Sequence, residues 1–167
     1  MSIAETFSGF LSWSNDFVAL LGYPGIFIIN MIGSLAIGIP LPTFIVVFIF
    51  GGILNPWVVG LAGGLGSATG TLLAYMIGRG SGETIKKRVC WMRKAEERSK
   101  RFGMFPVIVL LAFTAIMSDK MAIFTGIVKY DVKKYYLATI IGKVMLHTII
   151  AFMGYYGITY FMSLIGY

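Results

Sequence analysis

The fold of this chain is decided by residues 55–79, which read NPWVVGLAGGLGSATGTLLAYMIGR. Proline suits the first turn of a helix, because its missing N–H is not needed there. Residues 57–78 carry no charge and are long enough to cross a bilayer core, which takes roughly 20 helical residues. Small residues recur at every fourth position, at Ala62, Gly66, Gly70, Ala74 and Gly78. Such a ridge lets another helix approach closely, so the stretch predicts a tightly packed membrane-spanning helix.

The composition of the whole chain favours a membrane location. Of its 167 residues, 57% are hydrophobic and 13% are charged, whereas a soluble domain is about one-quarter charged. No charged residue lies between Asp16 and Arg79. Long continuous apolar runs fit helices, because the strands of a membrane barrel would alternate in polarity. The chain is therefore predicted to be an all-α integral membrane protein, a single membrane domain over 1–167, with an amphipathic interfacial helix over 1–22.

Positive charge is concentrated in one segment. The formal net charge is +7, and nine of the fourteen lysines and arginines lie within 79–101. Basic loops beside membrane helices face the cytoplasm, which predicts a cytoplasmic linker here, in a multi-pass protein of the plasma membrane rather than a nucleic-acid-binding protein. Cys90 is the single cysteine, so neither an internal disulfide nor a cysteine metal site is expected.

The first half of the chain contains two apolar stretches that are too short to cross a bilayer. They cover residues 26–39 and 43–54, and Pro40 and Pro42 separate them. Proline breaks a helix by removing a donor. Two half-length helices around a broken tip predict a re-entrant hairpin, so 23–78 is predicted to be a first repeat made of a hairpin and one span.

The second half, residues 102–157, follows the same plan. Its apolar stretch 121–128 makes a helix only about 12 Å long, which cannot cross a bilayer alone. A second re-entrant hairpin, with its tip at Ser118-Asp119-Lys120, accounts for this. Residues 135–156 then predict the second span, and 157–167 a short amphipathic tail.

A common offset of 76 residues indicates an internal repeat. It separates the two hairpin tips and the glycines of the two spans, in the pairs Thr43 and Asp119, Gly66 and Gly142, and Gly78 and Gly154. Charge then orients the repeats. The basic segments 79–101 and 129–134 can both be cytoplasmic only if 102–128 turns back, whereas the first hairpin has no basic flank and should open outside. The repeats are therefore predicted to be inverted, as in many transporters.

The second tip carries the first candidate binding residues, Ser118, Asp119 and Lys120. A charge in the bilayer core costs at least about 2.5–3.5 kcal/mol, so it marks a functional site by default. Asp119 could carry a proton if burial raises its pKa, and Lys120 could hold an anionic head group. The alternative is a local ion pair, or a shallow loop that water reaches.

Other candidates lie at the first tip and in the second span. Pro40, Pro42 and Thr43 would supply shape and free backbone groups, or only a kink. Lys143 and His147 lie one turn apart on one helix face. Lys143 either lines a cavity or extends to the cytoplasmic interface, and His147 either titrates near neutral pH or packs between helices.

Arg79 is the remaining candidate, as the cytoplasmic end of its span or as a phosphate contact. No catalytic motif, phosphate-binding loop or metal-ligand cluster occurs in the sequence, so neither an enzymatic activity nor a cofactor is predicted.

Several segments resemble the DedA family, also called the VTT or SNARE-associated Golgi protein family. They are GYPGIF at 22–27, the Pro-x-Pro tip at 40–42, Gly66 and Gly70 ahead of YMIGR at 75–79, Gly126 with Lys129 and Tyr130, and YYLATIIGK at 135–143. The likeness covers about residues 20–157. It implies two re-entrant hairpins in inverted repeats and movement of lipid between leaflets.

Bacterial members of that family are linked to the recycling of undecaprenyl phosphate with proton or sodium gradients, and eukaryotic relatives scramble phospholipids. The resemblance thus implies a polyprenyl phosphate or a phospholipid as the substrate. Acidic residues usual around the first tip are missing from 34–44, and 113–120 offers only Asp119 and Lys120. In this reading Lys120 is the anchor, Asp119 the switch and Lys143 an accessory.

Two alternatives to a lipid flippase or scramblase stay open. One is a secondary transporter or channel for a small solute or ion. The other is a structural membrane partner, or a homo-oligomer, that docks through the small-residue ridge from Ala62 to Gly78.

Overall fold

A computed structural model of the chain describes residues 21–35, 43–86, 104–114 and 118–165. In these ranges the regular elements are six α-helices: α1 Tyr23–Leu35, α2 Thr43–Ile53, α3 Pro56–Lys86, α4 Phe105–Phe113, α5 Ser118–Ile127 and α6 Val132–Ile165. The predicted interfacial helix, the first tip at Pro40 and Pro42 and most of the basic linker lie outside the described residues.

Two helices are long and apolar enough to cross a membrane. The candidate spans are Pro56–Ser81 in α3 and Val132–Gly157 in α6, each of 26 residues. The other four described helices have 9 to 13 residues. At about 1.5 Å per residue they reach at most about 20 Å, less than a bilayer core. The prediction of a helical protein with two long spans is confirmed.

Three predicted boundaries were wrong. The first span was expected to end at Gly78, but α3 continues to Lys86, and no separate tail follows the second span because α6 runs to Ile165. Neither extension contains a proline that would break the helix. Ser118-Asp119-Lys120 forms the first turn of α5 instead of the turn between helices. Serine and aspartate suit that position, since they favour the donors and the positive dipole of a helix N-terminus.

Side chains and a glycine set where the helices begin. Gly22 has a φ of +59°, which turns the chain into α1 just before Tyr23. Asn55 caps α3, because its Oδ1 accepts a hydrogen bond from the Trp57 N–H at 3.0 Å. Asp131 caps α6 in the same way.

The cap at Asp131 makes the stability depend on pH. Its carboxylate accepts the Lys134 N–H at 2.9 Å, and this hydrogen bond lowers the pKa of Asp131 below the ordinary value of 3.8. The cap therefore stabilises the fold above that value and is lost as the pH falls through the lowered pKa. We expect Asp131→Ala to unfold at a lower temperature in detergent at neutral pH, with the difference vanishing in strong acid. Asp131→Asn, which retains a capping oxygen, should keep most of the stability, and equal melting of all three proteins would contradict this.

The two long helices run antiparallel against each other. Trp57 near the start of α3 contacts Phe152 of α6, with ring centroids 4.9 Å apart, and Tyr75 stacks on Tyr135 at 4.6 Å. Since α6 starts where α3 reaches Tyr75, the chain between them, which includes α4 and α5, leaves and returns at one end of the pair.

Glycines on α3 let three neighbours approach. A Cβ on Gly66 or Gly70 would meet the α1 backbone, and a Cβ on Gly78 would meet α5. The predicted ridge is thus packed inside the chain. A second face, at Gly60 and Gly64, contacts the backbone of α6, where an added Cβ would lie 2.5 Å from a Cα atom.

The short helices pack reciprocally on the long ones. Helix α1 packs on α3 and α4 packs on α6, so each half supplies one short helix to its own long helix. Helix α2 instead packs on α6, and α5 on α3, so each half also supplies one short helix to the other half.

The α2–α6 crossing is made by glycines on both helices. A Cβ on Gly154 would overlap the carbonyl oxygen of Phe48, and one on Gly51 would overlap the backbone of Ala151. With no side chain at either position, the two backbones come into direct contact.

The α5–α3 crossing has the same construction. A Cβ on Gly78 would overlap the carbonyl oxygen of Ile123, and one on Gly126 would overlap that of Tyr75. Gly78 lies 76 residues before Gly154, and Gly126 lies 75 residues after the α2 glycine. The offset seen in the sequence therefore joins positions that make matching contacts.

Candidate functional site

Buried polar side chains cross the middle of the molecule between two apolar clusters. One cluster includes Ile26 and Val59, and the other includes Ile108 and Ala138. The buried polar residues between or beside them are Asn30, Ser34, Ser67, Thr71, Thr125, Thr139, Lys143 and His147. We call this set the polar belt. Polar and charged groups at this depth of a membrane protein line substrate or ion pathways, so the belt is the candidate site.

Lys143 and His147 are the ionisable members of the belt. Each side chain is only 4% exposed, on the face of α6 that packs against α3. Sequence alone left two positions open for Lys143, and the structure places it in the interior. Nδ1 of His147 lies 2.8 Å from the Lys143 carbonyl oxygen. Because a carbonyl can only accept, Nδ1 donates this hydrogen bond, and Nε2 is left as an acceptor.

The antiparallel register places Lys143 at the centre of the belt. His147 packs on α3 one turn before Ser67, and Thr139 shares a cavity with Thr71 one turn after it. Lys143 is one turn from both His147 and Thr139, so it lies at the level of Ser67. The 76-residue offset also relates Ser67 to Lys143. The two positions thus match each other in the reciprocal packing, and only one of them is charged.

Asn30 adds an unsatisfied group beside His147. Its side chain is fully buried and its Nδ2 donates to the Ile26 carbonyl at 2.8 Å, but Oδ1 has no hydrogen-bond partner among the described residues. Gly63 separates the two side chains, because a Cβ there would lie 3.5 Å from Nδ2 of Asn30 and 3.1 Å from Cδ2 of His147. Unpaired buried oxygens are rare, so this one indicates a place where a donor binds.

The neutral members of the belt were missed from the sequence. Ser34 and Ser67 hydrogen-bond to each other at 2.7 Å, although 33 positions separate them. A signal was present, since Ser67 and Thr71 are four residues apart, as are Thr139 and Lys143. Polar residues at that spacing share one helix face, but the same pattern also fits hydroxyls bonded to their own backbone.

A small cavity lies beside the belt. Its volume of about 10 Å³ is close to the room that one water molecule needs. The lining residues come from α3, α4, α5 and α6: Thr71, Ile108, Leu111, Ala112, Met121, Tyr135 and Thr139. Met121 directly follows Asp119 and Lys120, so the backbone of the second tip reaches the cavity wall. The side chains of Ser118, Asp119 and Lys120 lie outside the described part of the chain.

Arg79 and Thr43 lie away from the belt. Arg79 is exposed near the end of α3, and its Nη1 donates to the Tyr75 hydroxyl at 2.9 Å. The Tyr75 hydroxyl in turn donates to the Tyr130 carbonyl. Thr43 begins α2 and contacts Gly33 of α1, on the side where the first hairpin closes. Of the described candidates, the structure therefore brings together Lys143 and His147 only.

No group of three His, Cys, Asp or Glu residues in the described ranges could hold a metal ion. Comparison with protein-family models matches residues 40–156 to the VTT domain. Neither the curated proteins nor the solved structures contain a match to this chain. The matched segment includes both long helices and covers more than half of the chain, so the protein belongs to the VTT-domain family, which is the DedA or SNARE-associated Golgi family.

Proposed function

We propose that this membrane protein moves a phosphate-bearing lipid, a polyprenyl phosphate or a phospholipid, between the two leaflets. The burial of Lys143 in the middle of a membrane-spanning helix carries this proposal. A lysine at the bilayer centre costs about 2.5–3.5 kcal/mol on insertion scales, and such residues commonly mark substrate pathways. An ammonium group among hydroxyls and amides suits an anionic head group, while the lipid tail stays in the bilayer.

The architecture we propose is a pair of inverted repeats, each with a re-entrant hairpin, α1–α2 or α4–α5. Three observations support it: the short helices, the antiparallel long helices and the reciprocal glycine crossings. The shared end of α3 and α6 would then face the cytoplasm with the basic linker 79–101, in the plasma membrane. The two tips would approach the polar belt from opposite sides.

The residues take the following roles in this proposal. Lys143 and Lys120 bind the phosphate, and Asp119 is the switch that gains or loses a proton. Arg79 contacts phosphate at the surface, and His147 contacts the head group. The first tip, at Pro40, Pro42 and Thr43 after Ser118 of the second, shapes the passage.

Reconstitution into liposomes tests the function. The wild-type protein is expected to move fluorescent phospholipid or polyprenyl phosphate faster than empty liposomes do. Lys120→Ala and Asp119→Asn should each slow this movement about tenfold, since a hydrogen bond to a charged group contributes about 1.5–3 kcal/mol. Lys133→Ala, which changes an exposed lysine at the start of α6, is the matched control and should leave the rate unchanged.

The outcomes separate the function from the roles at the tip. A wild-type rate equal to that of empty liposomes, with both lipids, would overturn the proposed function. Parent rates in both tip variants would remove Asp119 and Lys120 from the site but leave lipid movement in place.

One observation favours transport of a small solute or ion as the second candidate. The cavity beside Thr71 and Thr139 has room for about one water molecule, which is smaller than a head group. Flux of a soluble ion without lipid movement would support this candidate. The structural-partner alternative receives less support, because Gly66, Gly70 and Gly78 already pack on α1 and α5 within the chain.

A further inference from the structure

The two ends of the polar belt differ. Towards the Tyr75 end of α3, Lys143 is followed by Thr139 and Thr71, which line the cavity. Towards the other end, His147 is followed by an apolar cluster that includes Val59 and Ala151, both fully buried. A polar group can leave Lys143 through hydroxyl-lined space in one direction only.

The difference has a cause in the reciprocal packing. Val109 backs on Gly142 as Phe27 backs on Gly66, so Ala112 stands in the second half where Asn30 stands in the first. By the 76-residue offset, Thr71 stands where His147 stands in the other half. Two small side chains thus replace two large ones, which leaves the cavity in the second half.

The hydroxyl groups of the cavity are able to accept hydrogen bonds. Thr71 Oγ1 donates to the Ser67 carbonyl at 2.7 Å, and Thr139 Oγ1 donates to the Tyr135 carbonyl at 2.8 Å. Each donor is therefore used by its own helix, and the oxygen lone pairs are left for water or for a hydrated head group. A lysine in a helix directs its side chain towards the preceding turn, which for Lys143 is the turn of Thr139.

An aromatic pair separates the cavity from the surface. Tyr75 and Tyr135 stack at 4.6 Å, are at most 2% exposed, and Tyr135 itself lines the cavity. On the outer side the Tyr75 hydroxyl accepts from exposed Arg79 and donates to the Tyr130 carbonyl. These two hydrogen bonds hold the pair closed against the α5–α6 connection.

We propose that the phosphate group of the ligand reaches Lys143 from the Arg79 end only, through the cavity between Thr71 and Thr139, when Tyr75 and Tyr135 separate. The identity of the ligand rests on the proposed function, and the one-sided route does not. Arg79 is the first contact and the two tyrosines are the gate.

Thiol labelling tests the route in the full-length protein with Cys90→Ser. Thr139→Cys reports on the cavity, and Ala151→Cys, on the same helix in the apolar cluster, is the matched control. A charged, membrane-impermeant thiol reagent is applied to each side of oriented vesicles. Thr139→Cys should react from the Arg79 side alone, while Ala151→Cys should react from neither. Reaction of Thr139→Cys from the opposite side, or equal rates for the two cysteines, would overturn the route.

A conservative variant tests the gate. Tyr75→Phe keeps the ring stack and removes both hydrogen bonds of the hydroxyl. It should accelerate the labelling of Thr139→Cys by roughly fivefold or more, as expected for the loss of one ordinary hydrogen bond, and leave Ala151→Cys unchanged. An unchanged rate at Thr139→Cys would remove the tyrosines from the gate.

Competition identifies the ligand. Inorganic phosphate and short-chain phosphatidic acid are added separately during labelling of Thr139→Cys. Protection by phosphatidic acid alone indicates a lipid head group, and protection by both indicates phosphate itself. Protection by neither would overturn the phosphate ligand. Because labelling requires no lipid movement, this result and the liposome result can fail independently.

Discussion

Replacing Gly154 by leucine is expected to prevent the chain from reaching its fold. Even the Cβ of alanine would overlap the carbonyl oxygen of Phe48, and backbone cannot move aside as a side chain can. Overpacking of this kind costs about 3 kcal/mol or more, and leucine adds further volume at the same crossing. The α2–α6 contact would be lost, and with it the attachment of the first half to the second span.

Thermal unfolding in detergent measures this effect. Gly154→Ala should melt well below the wild type, and Gly154→Leu should aggregate on size-exclusion chromatography. Gly157→Leu is the matched control on the same helix, because Gly157 is exposed and its Cβ would lie 3.7 Å from the end of the Phe48 ring. Wild-type melting of Gly154→Leu would show that α2 does not pack here.

The reciprocal crossing makes the same prediction at the other end. Gly78→Leu should destabilise the protein about as much as the Gly154 variant, since its Cβ would overlap the Ile123 carbonyl oxygen. Gly80, two residues later on α3, has nothing within 4 Å of its Cβ position. Gly80→Ala should therefore be neutral or stabilise the helix by up to about 1 kcal/mol.

Replacing Lys143 by methionine is expected to abolish lipid movement while leaving the protein folded. Methionine is similar in length and suits a buried helix position, but it cannot bind phosphate. Truncating one partner of a buried, hydrogen-bonded charge pair costs about 2–5 kcal/mol, so the rate should fall by about thirtyfold or more. Lys143→Arg should retain part of the activity, because arginine keeps the charge but places it differently.

The measurement is the liposome assay, with monodisperse protein as the condition for reading it. Lys133→Met, at the exposed start of the same helix, should transport at the parent rate. A folded Lys143→Met protein that moves both lipids as fast as the parent would exclude Lys143 from the substrate path.

Much of the architecture follows from local patterns. The uncharged run 57–78, with proline at its start, is enough to predict a span, because bilayer thickness sets the length of a helix. The stretch 43–54 is equally apolar and too short, which predicts a helix that cannot cross. Gly78 and Gly154 indicated close helix contacts through their offset alone. These features depend on composition and spacing, which a sequence displays directly.

Other predictions failed because the deciding contacts are distant in the chain. Ser118-Asp119-Lys120 was taken for the turn of the second hairpin, whereas it opens a helix. The glycine ridge predicted a partner helix without identifying it, and the structure supplies α1 and α5. A helix face shows that something packs on it but not which element does.

Periodicity and charge alone establish a small helical membrane protein with two spans and several shorter apolar helices. Tertiary structure decides how deep Lys143 lies, that Asn30 faces His147 across Gly63, and that a cavity opens beside Thr71. The physical reason is that burial belongs to a pair of surfaces. A lysine near a span end and a lysine at the centre look alike in sequence until the antiparallel register of α3 and α6 places one opposite Ser67.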